Sequence, residues 1–178
     1  MCASPPPRPG SVKIDPVKRR REHGRTLARC DFDSAELLVK EDIVLSADVR
    51  EIPLAVERIM KVVRESRCAQ GEEADVELAL FEAISNAVRH GCGGDPTKTV
   101  ECCVACDRSR GMLIVVRDPG PGFDPESIPS PVVGQNVWSH HGRGIYLINQ
   151  CMDEVRYERG GTEIHMRKHP SSRGKGMA

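Results

Sequence analysis

Residues Glu82 to His90 read Glu-Ala-Ile-Ser-Asn-Ala-Val-Arg-His. On a helix, Glu82, Asn86 and His90 recur one turn apart and line one stripe. Asparagine is a poor helix-interior residue, because its side chain competes for backbone hydrogen bonds. One turn from a glutamate it reads as part of a functional polar stripe. Magnesium suits such a stripe: it prefers oxygen ligands, keeps several waters, and takes few protein atoms plus substrate phosphates. The Asn86 carbonyl oxygen can supply one ligand. Glu82 is then left to orient or deprotonate an attacking nucleophile. The plainer reading is a solvated face that happens to carry an asparagine. His90 suits the negative C-terminal end of the helix better than a metal.

Two further segments extend this chemistry. Asp118–Phe123 reads Asp-Pro-Gly-Pro-Gly-Phe and follows an apolar run, Met112–Arg117. A carboxylate at a strand end can accept a hydrogen bond from an exocyclic amine such as adenine N6. Gly120 and Gly122 allow close backbone approach, while Pro119 and Pro121 stiffen the turn. An ordinary turn has the same composition. Gly142 and Gly144 then stand just before a helical pattern, where backbone N–H groups attract phosphate. Arg143 between them, or His140 or His141, adds a cation; helix capping is the plainer reading. Thr162, in the turn Gly160-Gly161-Thr162, can reach a base through water. In this order the segments describe a magnesium-nucleotide site spread over one small domain. The chain has no Gly-x-x-x-x-Gly-Lys-Ser/Thr loop and no Gly-x-Gly-x-x-Gly after a strand, which sets aside P-loop and dinucleotide folds.

The elements that must hold these segments follow from periodicity. Asp42–Ala47 is a short strand. Pro53 opens a helix whose apolar positions are Leu54, Val56, Ile59, Met60 and Val63, ending near Gly71. A second helix over Ala74–His90 stops at Gly91, Gly93 and Gly94. Its Leu80, Ala83, Ile84, Ala87 and Val88 cover the face beside the polar stripe. Thr99–Ala105 and Met112–Arg117 form a hairpin about Arg110-Gly111. Residues 123–141 carry Pro125, Pro129, Pro131 and Gly134 with little periodicity, a long loop of the kind that serves as a lid. Gly144–Met152 is a third helix, and Glu154–Glu158 with Glu163–Arg167 a second hairpin. The expectation is an α+β two-layer sandwich: one mostly antiparallel sheet with three helices on one face.

The 178 residues fit one domain plus tails. The formal net charge is zero, which offers no reason to expect a nucleic-acid or membrane partner. Charge is unevenly placed: residues 1–30 carry eight Lys and Arg against Asp15 and Glu22, a net of +6, so the remainder sums to −6. Pro- and Arg-rich composition predicts a disordered arm over residues 1–35, a folded domain over 36–169 and a flexible tail over 170–178. The arm is a solvated tail or a basic docking segment. The opening Met-Cys-Ala-Ser-Pro-Pro-Pro-Arg lacks the apolar run of a signal peptide, and no stretch has the length of a membrane span, so a cytoplasmic location is expected. Reduced thiols are expected for the eight cysteines on the same ground. Cys103 and Cys106 form a Cys-x-x-Cys beside Cys102. A zinc knuckle needs a second ligand pair, for which His90 and Cys92 stand upstream; buried strand cysteines acting as small hydrophobes are the expected reading.

Taken together, these segments resemble the GHKL ATPase superfamily with its Bergerat nucleotide fold. The closest resemblance within it is to the small bacterial anti-sigma-factor serine/threonine kinases. The family's N-box reads here as Glu82-Ala83-Ile84-Ser85-Asn86-Ala87, and its Asp-x-Gly-x-Gly box as Asp118-Pro119-Gly120-Pro121-Gly122. Its Gly-x-Gly box reads as Gly142-Arg143-Gly144 followed by Ile145-Tyr146-Leu147-Ile148. Met152-Asp153-Glu154-Val155 and Gly161-Thr162 follow in family order, so the resemblance covers roughly residues 40–169. It implies ATP and Mg2+ as cofactors. It implies that Asn86 coordinates magnesium, Glu82 is the catalytic base, Asp118 and Thr162 read adenine, and Gly142 and Gly144 hold phosphates under the lid. It further implies partners: a sigma factor that is sequestered, a small antagonist protein phosphorylated on serine or threonine, and a second copy of the chain. One departure stands out. Some members carry an arginine just ahead of the Gly-x-Gly box, where this chain has His140 and His141, with Arg143 inside the box. Phosphoryl transfer needs positive charge on the γ-phosphate. A non-phosphorylating, ATP-responsive binding module is therefore the alternative function. A sensor histidine kinase would need a helical phosphoacceptor segment that nothing before residue 40 supplies.

Overall fold

The computed structural model describes residues 30, 36–124 and 143–170. Five strands form one antiparallel sheet. They are β1 (Leu37–Ser46), β2 (Thr99–Asp107), β3 (Gly111–Arg117), β4 (Glu154–Glu158) and β5 (Glu163–Lys168), in the order β1-β2-β3-β5-β4. The helices are α1 (Ile52–Ser66), α2 (Glu73–Asn86) and α3 (Arg143–Cys151). All three contribute to one core with the same face of the sheet, so the α+β two-layer sandwich is observed as expected. No helix among the described residues is long and apolar enough to cross a membrane.

Alternation along the strands sorts the two faces. Val100, Cys102 and Val104 of β2, Met112, Ile114 and Val116 of β3, and Ile164 and Met166 of β5 face the helices. Against them lie Ile59, Met60 and Val63 of α1, Val76, Leu80 and Ile84 of α2, and Ile148 of α3. The opposite face holds a smaller apolar cluster of Cys103, Ala105, Leu113 and Val115, covered by Cys30. Cys30 lies within the arm expected to be disordered, yet its side chain is buried and its carbonyl accepts from Lys40 Nζ at 2.8 Å. The rest of that arm, residues 125–141 of the expected lid loop and residues 171–178 of the expected tail lie outside the described residues.

Beside the small cluster runs a cross-strand row of charge. Arg117 donates to Glu163 at 2.6 Å and to Glu101 at 3.3 Å, and His165 meets Glu163 at 2.8 Å. Register places these groups opposite one another: Glu101 pairs with Arg117, and Arg117 with Glu163. Lys168, nearly buried, ties three elements at one corner. It donates to the Cys151 carbonyl at 2.8 Å and pairs with Glu72 at 2.7 Å and Asp153 at 3.4 Å.

Several details differ from the sequence expectation. Strand β1 starts at Leu37 rather than Asp42, because Leu37–Lys40 alternate too weakly to signal a strand yet pair with the end of β2. Leu54 is on the outer side of α1, with Ile52 and Ala55 taking the buried positions around it. Helix α2 ends at Asn86 and continues as a π-turn over Ala87–Gly91, where Cys92 N–H reaches the Ala87 carbonyl at 2.8 Å. The thiols were expected to be reduced, but Cys106 is joined to Cys68 in a disulfide. Cys103 and Cys106 sit three apart on one strand, hence on opposite faces, so they cannot jointly ligate a zinc ion.

Candidate functional site

One cavity of about 560 Å³ opens between α2, the start of α3 and the ends of the central strands. Glu82 and Asn86 line it from α2, Asp118 and Gly122 from the turn after β3, Gly144 from α3, and Thr162 from the β4–β5 turn. Most of the remaining wall is apolar, including Ala87, Val116, Tyr157 and Ile164. A mainly apolar cavity with a few convergent polar groups is the usual form of a small-molecule site.

At one end, α3 begins against the polar stripe of α2. A Cβ built on Gly144 would lie 2.7 Å from Glu82 Oε2 and 3.3 Å from Asn86 Nδ2. A side chain there would push the Glu82 carboxylate aside and crowd the Asn86 amide, so glycine leaves both groups their positions. Helix α3 is held in this position by Ile148, which is fully buried. Glu82 and Asn86 are half-buried and line the cavity from α2, where Gly144 of α3 approaches them. Arg143 is exposed and does not line the cavity. Gly142, His140 and His141 lie outside the described residues.

At the other end, the turn after β3 is built against two neighbouring backbones. Asp118 N–H donates to the Thr162 carbonyl at 3.0 Å, and Phe123 N–H to the Gly160 carbonyl at 3.0 Å. Gly122 has φ +77° and would clash with the Gly160 carbonyl if it carried a Cβ. Thr162 uses its hydroxyl locally, donating to the Arg159 carbonyl at 3.1 Å. The Asp118 carboxylate accepts from Gly120 N–H at 2.8 Å. Burial pushes the Asp118 pKa above the ordinary carboxylate value, and that backbone donor only partly offsets it. Gly120 does not line the cavity; it packs instead on the backbone of Gly91.

Sequence reasoning missed several cavity residues. The sequence pattern makes Gly91 a helix stop, but the π-turn carries it under Asp118, where a Cβ would strike the carboxyl group. No local pattern announces a π-turn, so the contact had no signal in the sequence. Ser85 is buried at the cavity, and among the described residues its hydroxyl has no hydrogen-bond partner. The hydroxyl of Tyr157 is in the same state. A buried hydroxyl without a partner is costly, so such groups normally meet water or a ligand. Phe123 stacks edge-on against Tyr157, with centroids 5.4 Å apart, at the rim.

Comparison with known proteins gives the same direction. Residues 45–168 match the histidine kinase-like ATPase domain. The serine-protein kinase RsbW of Bacillus licheniformis is 33% identical over 101 residues, which span 53% of this chain and 62% of that protein. The RsbW of Bacillus subtilis (strain 168) is 32% identical over 107 residues, covering 65% of its length. The chain thus spans somewhat less than two thirds of these two relatives. An anti-sigma F factor of Geobacillus kaustophilus is 30% identical over 104 residues, 70% of its length. The open antiparallel sheet, the cavity at its central strands and these matches lead to one conclusion: the chain belongs to the histidine kinase-like ATPase family and is of the anti-sigma kinase type within it.

Proposed function

We propose that this chain is an ATP-dependent serine/threonine protein kinase that phosphorylates a small antagonist protein and sequesters a sigma factor. The observation that carries the reading is the convergence of Glu82, Asn86 and Gly144 at one end of a cavity whose other end holds Asp118. That separation suits a nucleotide with its base at Asp118 and its phosphates at the head of α3. Asp118 accepts the exocyclic amine of adenine, and Thr162 adds a contact through water. Gly142 and Gly144 take the phosphates; Gly122 lets the turn approach the nucleotide.

The donor set fits magnesium: an amide oxygen from Asn86 beside the Glu82 carboxylate, both hard oxygen groups facing one cavity. Asn86 would hold the ion, which when bound supplies positive charge to the triphosphate. Glu82 accepts the proton of a partner serine or threonine hydroxyl as that oxygen attacks the γ-phosphorus in line. The apolar walls exclude water that would otherwise compete as acceptor.

The test compares two variants by calorimetry and by transfer of the γ-phosphate to a small protein recovered from the source cell. Glu82→Gln is expected to bind ATP as the wild type does and to lose transfer by at least ~100-fold. Asn86→Ala is expected to weaken ATP binding with Mg2+ and to change it little without the metal. Unchanged transfer in Glu82→Gln refutes the kinase reading. A wild type that binds ATP and partner but transfers nothing points instead to the ATP-responsive binding module.

A further inference from the structure

Six of the seven cysteines among the described residues are buried; Cys68 alone is partly exposed. It sits in the turn between α1 and α2, just after Arg67, whose backbone is left-handed at φ 56°. Its neighbour Ala69 is buried in the main core and anchors the turn. Across from it lies Cys106, fully buried near the end of β2, with a Cα–Cα distance of 6.1 Å. That distance is within the span a disulfide bridges without backbone movement. Cys103 cannot compete for Cys106, because it projects from the other face of the sheet into the cluster with Cys30. The 38-residue separation between the paired cysteines encloses all of α2, including Glu82 and Asn86.

We propose that Cys68 and Cys106 form a reversible thiol–disulfide site that reacts with low-molecular-weight disulfides and thiols through Cys68. In oxidation, the Cys68 thiolate attacks one sulfur of a small disulfide and expels a small thiolate, which takes up a proton. The Cys106 thiol, giving up its proton, then attacks Cys68 Sγ and expels the second small thiol. The protein loses two electrons and two protons, and the small disulfide gains them. Reduction runs the other way: a small thiolate attacks Cys68 Sγ, since Cys106 is sealed in the core, and Cys106 leaves as thiolate and is protonated. A second small thiol then releases Cys68 as a free thiol and departs as the symmetric disulfide. The oxidised form pins the α1–α2 turn to β2 and restricts the unfolded chain across the enclosed loop.

The full-length chain is equilibrated with hydroxyethyl disulfide or with a phosphine reductant, then alkylated with iodoacetamide and mapped without reduction. The oxidised sample is expected to give a Cys68–Cys106 linked peptide, and the reduced sample alkylated Cys68. The thermal midpoint should be higher in the oxidised sample by roughly 5–15 °C, and Cys68→Ser should abolish that difference. Cys68→Ser is the variant of choice because its site is partly exposed, whereas serine at Cys106 would place a hydroxyl in the core. Alkylation of Cys68 in the oxidised sample, equal midpoints in the two wild-type samples, or a difference that survives Cys68→Ser overturns the proposal. The readouts do not involve nucleotide, so the outcome is independent of the kinase reading.

Discussion

Asp118 is the residue whose environment most constrains what the cavity accepts. As carboxylate it accepts hydrogen bonds only; protonated, it becomes a donor as well and keeps less acceptor capacity. Because burial raises its pKa, it takes up a proton at a higher pH than the ordinary value of 3.8. The folded state then binds this proton more tightly than the unfolded one. On its own the group adds stability as pH falls; in the proposed binding mode, protonation also turns one carboxyl oxygen from acceptor into donor and weakens the match to the base. Carboxyl-detected NMR of the free protein should show a midpoint above 3.8 for Asp118. A midpoint at or below that value contradicts the account. That Asn86 and Asp118 line one cavity was legible in the sequence because each is an odd choice for its local structure, an asparagine within a helix and an acid at the end of an apolar run; Glu82 followed as the neighbour of Asn86 one helical turn away. Gly91, Ser85 and Tyr157 were not legible. Their contribution arises from a π-turn and from burial, which a sequence pattern does not display.

Of the three helices α1, α2 and α3, α3 buries the fewest side chains. It is nine residues long, and only Ile148 and Cys151 are buried. Truncating Ile148 to alanine should cost about 2–5 kcal/mol, the usual range for a buried aliphatic side chain. It should also loosen Gly144 from Glu82 and Asn86, so ATP affinity should fall by more than the same loss of stability elsewhere in the core causes. Urea melts and calorimetry on Ile148→Ala and Ile114→Ala make the comparison; equal effects on ATP affinity would separate α3 placement from binding. The helices and hairpins were readable because strand and helix periods differ and glycines mark their ends. The start of β1 was not, since an edge strand pairing on one side needs little hydrophobic alternation. Leu54 misled for a different reason: the angular position of the buried stripe on α1 is set by how the helix lies on the sheet, and Leu54 points away from it.

At the scale of the whole molecule, the two faces of the sheet have different chemistry. Helices seal one face with aliphatic side chains, while the other carries the row Glu101, Arg117, Glu163 and His165. Burial alone would raise the Glu163 pKa, but hydrogen bonds from His165 and Arg117 outweigh it and hold the pKa below its ordinary 4.5. A depressed carboxylate stabilises the fold above its unfolded pKa and loses that contribution as pH falls toward its folded value. The advantage of wild type over Glu163→Gln in thermal midpoint should therefore be full at pH 7 and shrink below about pH 4.5. A gap that does not change with pH excludes this account. The same two-sidedness gives the cysteines of β2 an unexpected order. A strand sorts its residues by parity, so Cys103 and Cys106 inhabit separate compartments with the sheet as the wall between them. Neighbours in the text of the sequence are thereby strangers in space, and each sulfur meets a companion brought from a distant part of the chain.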